Sequence, residues 1–152
     1  MTIRNCVPGD LEPVNALIRQ LCADHAEGVP DFFRPECECF TEESFRKWLE
    51  NPAASLFCME DAGTVVGFCQ MSLRDISGFV PMKNAHIENI VTDEAYRGQG
   101  IGHLLMAEAE TRARAWGAVH LNLLCWSFNE GARRLYENLG MKPVFSMMKK
   151  DL

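Results

Sequence analysis

The chain has 152 residues, enough for one domain with a substantial core and too few for two comfortable ones. Hydrophobic residues make up 47% and charged residues 24%, a globular balance that excludes a disordered chain, and no apolar run approaches the ~20 residues of a membrane span. The formal charge of −6 leaves no basic patch to neutralise phosphates, so no nucleic acid is expected as partner, and a cationic small molecule or peptide suits the chain better. The opening MTIRNCVPGD lacks the basic-then-apolar pattern of a secretory signal, so the expected location is cytoplasmic.

The first element is a short strand over TIRNCV, broken by PGD, with Asp10 placed to cap a helix. Leu11, Val14, Leu17, Ile18 and Leu21 recur at helical spacing and predict a helix from residue 11 to about 25. A loop EGVPDFFRPECECF follows, then a second helix over TEESFRKWLE with Thr41 and Ser44 as candidate caps. SLFCMEDAGTVVGFCQMSL reads as two strands joined at EDAGT, a hairpin signal with glycine in the turn. NAHIENIVT is a further strand and HLNLLCW another, with the helical HLLMAEAETRARAW between them; Leu104, Leu105, Ala109, Ala113 and Trp116 form its expected apolar side. NEGARRLYENLG is a last helix closed by Gly140, and VFSMMKK predicts a final strand. This order implies a mixed α/β fold around a central sheet, one domain over residues 1–152.

Seven cysteines at irregular spacings (6, 22, 37, 39, 58, 69 and 125) are an odd number, and in a reducing compartment they act as small apolar residues. Cys37 and Cys39 in CEC do not have the C-x-x-C spacing of a zinc site, so no metal is expected.

The stretch YRGQGIG, residues 96–102, lies between a predicted strand and a predicted helix. Glycines there let backbone N–H groups point outward where a helix N-terminus already carries unpaired donors, and Arg97 adds a forked cation. A diphosphate fits such a site; a plain strand-to-helix turn relieved by glycines fits it too. The spacing is neither the dinucleotide G-x-G-x-x-G nor a P-loop, which would end in Gly-Lys-Ser/Thr. Arg97-x-x-Gly100-x-Gly102 resembles the R/Q-x-x-G-x-G/A signature of the GCN5-related N-acetyltransferases, the GNAT family. Downstream, Asn129-x-x-Ala132-x-x-Leu135-Tyr136-Glu137-x-x-Gly140-Met141 resembles a second motif of that family, with Met141 where Phe is usual. The two motifs come in the right order; the first 50 residues match only in layout.

The resemblance implies a GNAT-type acetyl-CoA-binding fold, a mostly antiparallel twisted sheet flanked by about four helices. It implies acetyl-CoA as co-substrate and transfer of its acetyl group to a primary amine of a small molecule or peptide, by direct attack on the thioester. The backbone at Ile90, Val91 and Thr92 would pair with the pantetheine arm, and the N–H groups of Arg97, Gly98, Gln99, Gly100, Ile101 and Gly102 would hold the pyrophosphate. Asn129 would bond near the thioester end, and Tyr136 would protonate the departing thiolate. The attacking ammonium, pKa ~10.4, must first lose a proton; Glu88 is the candidate base and His86 the runner-up. Strand alternation puts His86, Glu88, Ile90 and Thr92 on one face and Ile87, Asn89 and Val91 on the other. The acceptor would lie over the first helices, the loop with Asp31, Phe32, Phe33, Glu36 and Glu38, and the stretch with Asp75 and Phe79; Trp126 and Phe128 would also line its side. The resemblance also favours a homodimer, with VFSMMKK at the interface or packed in the core. A non-catalytic acyl-CoA-binding sensor, or a transferase of another short acyl group, remains the alternative.

Overall fold

The computed structural model describes residues 1–34, 36–75 and 82–152. The strands are β1 (Thr2–Asn5), β2 (Ala54–Asp61), β3 (Thr64–Asp75), β4 (Lys83–Thr92) and β5 (His120–Leu123); the helices are α1 (Leu11–Gly28), α2 (Glu42–Glu50), α3 (Ile101–Ala115) and α4 (Glu130–Asn138). They make one five-stranded sheet in the order β1-β2-β3-β4-β5, antiparallel except for the parallel β4–β5 pair. That pair needs a crossover, and α3 provides it.

Local chemistry accounts for most boundaries. The β2–β3 hairpin turns on Ala62 and Gly63, both at positive φ (48° and 84°), the form whose twist matches the strands it joins. The Thr41 side chain accepts the Ser44 N–H and the Ser44 side chain accepts the Thr41 N–H, closing the start of α2. Gly140, at φ 85°, follows α4 as expected. Asp10 departs from the reading above: its carboxylate does not cap α1 but accepts the Val7 N–H at 2.8 Å and a two-pronged contact from Arg4 at 2.7 and 2.9 Å. A charged, forked partner wins over a helix N–H.

The sheet buries both faces. On one side α1 and α2 cover Leu56, Cys58, Phe68 and Val91. On the other, α3 lays Ile101, Leu105, Met106, Ala109 and Ala113 over Phe57, Met59, Cys69, Met71 and Ile87, with Tyr136 and Leu139 of α4 at the margin. Leu104, expected on the apolar side of α3, is exposed. Gly67 allows this packing, since a Cβ there would lie 2.9 Å from Ile101 and 3.2 Å from Leu105.

Two sequence expectations fail. VFSMMKK forms no strand: residues 141–152 belong to no element, and Val144 and Met148 are 91% and 90% exposed. Strand-forming residues need a sheet edge to pair with, and the tail lies on none in its own chain. Cys22 and Cys37 are not separate thiols but a disulfide tying α1 to the loop after it, while Cys6, Cys58 and Cys69 are buried as apolar residues. No described helix is long and apolar enough to cross a membrane.

Candidate active site

β4 pairs along β3 as far as Thr92, but it meets β5 only from Asn84 to Ile87. Beyond Ile87 the two strands part, and a cleft of about 70 Å³ opens between Ile87–Ile90 and Leu123–Trp126. The β5-facing edge of β4 from Glu88 to Thr92 therefore has no strand partner among the described residues. Backbone donors and acceptors at such an edge suit an extended ligand with amides of its own.

A bulge sits at the same place. Gln70 pairs with Asn89 and Met71 with Ile87, so Glu88 is the extra residue of β4. The alternation inverts there: Ile90 joins Ile87 on the α3 side, and Val91 turns into the α1 layer. The single-phase pattern expected from the sequence holds only up to Glu88. The bulge sets Glu88 beside Ser72, whose hydroxyl donates to its carboxylate at 2.7 Å, and beside the Arg74 guanidinium. His86 Nε2 lies 3.8 Å from the same carboxylate, and its Nδ1 meets Asn122 Oδ1 at 2.5 Å. The two candidate bases are thus brought together, but Glu88 lines the cleft and His86 stands behind it.

Across the cleft, α4 presents Asn129, Ala132 and Tyr136. Asn129 Oδ1 accepts the Ala132 N–H at 3.0 Å and caps the helix, which leaves its amide NH₂ for a ligand. Burial pushes the Tyr136 phenol well above its usual value, with Cys125 and Cys69 adding to the effect. The hydroxyl stays protonated throughout the neutral range.

β4 leads through a short turn, Glu94–Tyr96, into the loop at Arg97–Gly102. Among the described residues the N–H groups of Gly98, Gln99, Gly100, Ile101 and Gly102 find no acceptor, whereas the Arg97 N–H, expected with them, already donates to the Glu94 carbonyl at 3.4 Å as the 94–96 turn closes. Gly98 and Gly100 are at φ 77° and 82°, and a Cβ on either would point into open space. Gly100 precedes α3 with no side chain over the helix end. A row of bare donors at a helix N-terminus fits a diphosphate in both geometry and sign. Gly102 serves differently: a Cβ there would lie 3.0 Å from Leu135, so it lets α3 and α4 approach. Arg97 Nη2 donates to Asp24 of α1 at 2.8 Å.

The far wall is aromatic. Leu21 and His25, one turn apart on α1, line the cleft with Trp126. His25 stacks on Phe33 at 4.9 Å and meets the edge of Phe128 at 5.7 Å; Trp126 packs on Phe32 and Phe33. A Cβ on Gly28 would lie 2.3 Å from the Phe128 ring. Burial lowers the His25 pKa, against smaller opposing effects from Leu21 and Asp24. Asp31 is turned outward to Lys149 at 2.6 Å. Phe79 and the Asp75 side chain lie outside the described residues. Sequence reasoning did not single out His25, Ser72 or Arg74; the i, i+4 spacing of Leu21 and His25 was the available signal for the first.

Residues 23–141 match the model of the Acetyltransferase (GNAT) family, and the chain belongs to that family. It is 32% identical over 105 residues, 68% of this chain and 65% of the relative, to a candidate [ribosomal protein bS18]-alanine N-acetyltransferase of Bacillus subtilis (strain 168). It is 28% identical to the glucosamine 6-phosphate N-acetyltransferase of Trypanosoma brucei brucei, over 64% of each chain. The matches span 65%, 46% and 38% of the length of three curated relatives. In fold it resembles a mutant of the BH1408 protein from Bacillus halodurans (TM-score 0.92, 23% identity, 100% of this chain and 99% of that one). It also resembles an aminoglycoside N-acetyltransferase in complex with CoA (TM-score 0.74, 18% identity, 99% of this chain and 98% of that one). The mostly antiparallel five-stranded sheet with four helices is the expected fold.

Proposed function

We propose that this chain is an N-acetyltransferase that uses acetyl-CoA to acetylate a primary amine of a small molecule or peptide. One observation carries the reading: the unpaired β4 edge leads through a short turn to the bare N–H groups of residues 98–102, and Glu88 and Tyr136 line the same cleft. Bound acetyl-CoA would supply the activated acyl group. Ile90, Val91 and Thr92 offer backbone to the pantetheine arm, while Gly98 to Gly102 offer N–H donors and Arg97 its guanidinium to the diphosphate. Asn129 offers its amide NH₂ near the thioester. Glu88, steadied by Ser72 and Arg74, removes a proton from the acceptor ammonium, and the amine nitrogen then bonds to the acetyl carbon as the carbon–sulfur bond breaks. Tyr136 gives its proton to the departing sulfur, and the second proton that the nitrogen loses as the amide forms passes through solvent to restore the phenol. His86 orients Glu88 and is the second candidate for the base.

A non-catalytic sensor would need the loop but not a carboxylate and a phenol in the same cleft, so the geometry favours catalysis. The test is incubation with acetyl-CoA and a panel of amines, an N-terminal alanine peptide and an amino sugar phosphate among them, read by mass of the acetylated product. Mass is preferred because an assay of released thiol would also read the protein's own cysteines. No acetylated product from any amine, with the protein folded and binding acetyl-CoA, returns the reading to a sensor.

The reading extends to a homodimer of this chain, in which each tail covers apolar surface of the partner copy. The exposed Val144, Phe145, Met147 and Met148, and β5 as an outer strand of the sheet, support it. Light scattering should give twice the chain mass, and half of that after removal of residues 142–152; a monomeric full chain contradicts it.

A further inference from the structure

α1 touches the 93–97 turn through two side chains one helical turn apart. Gln20 uses both ends of its carboxamide: Nε2 donates to Asp93 Oδ2 at 3.0 Å, and Oε1 accepts the Glu94 N–H at 3.0 Å. Asp93 also accepts the Ala95 N–H at 2.9 Å through its other oxygen, so the turn leading into the loop is fixed from outside and from within. Asp24 accepts from Arg97 Nη2 at 2.8 Å, while Arg97 Nε reaches the Thr92 carbonyl at 3.4 Å.

The two contacts differ in kind. Gln20 is neutral and satisfies a backbone N–H that nothing else in the turn meets, so it shapes the loop without contributing charge. Asp24 lies near the C-terminal end of α1, where a negative charge opposes the helix dipole. Its position is thus explained by Arg97 and not by the helix. Asp24 and Arg97 are 45% and 47% exposed, and an ion pair that open to water exchanges partners readily. A diphosphate held by the neighbouring N–H groups carries more charge than one carboxylate and competes for the same guanidinium. Asp24 would then remain beside it as a like charge.

We propose that Gln20 and Asp24 are positioning residues that set the loop's affinity for a diphosphate in opposite directions. Gln20 holds the turn in its binding form; Asp24 occupies Arg97 as a stand-in anion that the diphosphate displaces. The proposal rests on the reading of residues 97–102 as a diphosphate site.

The test is titration of the full chain with acetyl-CoA and with acetyl-pantetheine, which lacks the diphosphate. Gln20→Ala weakens acetyl-CoA binding about tenfold, as for loss of a charge-assisted and a neutral hydrogen bond that order the loop. Asp24→Asn tightens it about two- to fivefold, the range of an exposed pair. Neither variant changes acetyl-pantetheine affinity, whereas a merely structural loss weakens both ligands alike. Shifts of the same sign in the two variants, or equal shifts with both ligands, overturn the proposal. If the wild type binds acetyl-CoA and both variants match it, this proposal alone falls. If the wild type binds no acetyl-CoA, the diphosphate reading falls and takes this one with it.

Discussion

The two walls of the cleft are built in different ways. The wall assigned to the cofactor is one continuous stretch of backbone, from the unpaired edge at Glu88–Thr92 to the donors at Gly98–Gly102, joined by the cap of α4 at Asn129. The wall assigned to the acceptor is made of side chains from separate segments: His25 on α1 and Trp126 after β5 line the cleft, and Phe32, Phe33 and Phe128 pack against these two rings. A ligand recognised by backbone constrains glycines and caps at fixed spacing, and so leaves a motif. A ligand recognised by side chains from distant segments leaves only residue types, which core packing also supplies.

The contrast can be broken from either side. The largest expected effect falls between the walls, where Glu88→Gln should lower kcat by about 10²- to 10⁴-fold and alter the pH profile, with acetyl-CoA affinity unchanged. An unaltered profile would move the base to His86 or to a substrate that arrives neutral. Tyr136→Phe should reduce kcat about tenfold, the scale of one lost hydrogen bond to a charge developing in the transition state. If cofactor binding weakens by that factor and kcat does not, Tyr136 belongs to the binding wall instead. The smallest effect is on the aromatic wall. Burial holds the His25 pKa below its ordinary 6.5, so the folded state favours neutral imidazole. Its contribution is complete above pH 6.5 and is lost as pH falls through the lower folded-state value. The acceptor KM should therefore rise on acidification while acetyl-CoA affinity holds, and His25→Phe should flatten that rise. Parallel changes in both constants would show that the walls are not independent.

Much of the fold was legible because its signals are local. EDAGT supplied the two positive-φ positions of the β2–β3 turn, Thr41 and Ser44 closed α2, and Gly140 followed α4. What escaped depends on partners far away in sequence. The bulge at Glu88 belongs to the β3–β4 pair and not to β4 alone, so alternation placed Ile90 and Val91 on the wrong faces. Asp10 looked like a cap because the competing Arg4 sits on another element. The Cys22–Cys37 bond joins residues 15 apart whose approach depends on how the loop returns to α1. VFSMMKK has strand-forming residues and no edge of its own chain to join. In the cleft, the spacing of Arg97, Gly100 and Gly102 was visible, whereas the different tasks of Gly100, which keeps an exposed turn open, and Gly102, which lets α4 approach, became visible only in three dimensions.

The central claim, that the β4 edge and the 97–102 loop bind acetyl-CoA, is tested most directly by calorimetric titration of the wild type and Gly100→Trp. Gly100 sits at φ 82° facing open space, so an indole there covers the donors without entering the core, and thermal unfolding should confirm that the variant folds. The account predicts one saturable site in the wild type and an affinity about a hundredfold lower in the variant, near 2.7 kcal/mol. Equal binding in the two proteins, or none in a folded wild type, would contradict it.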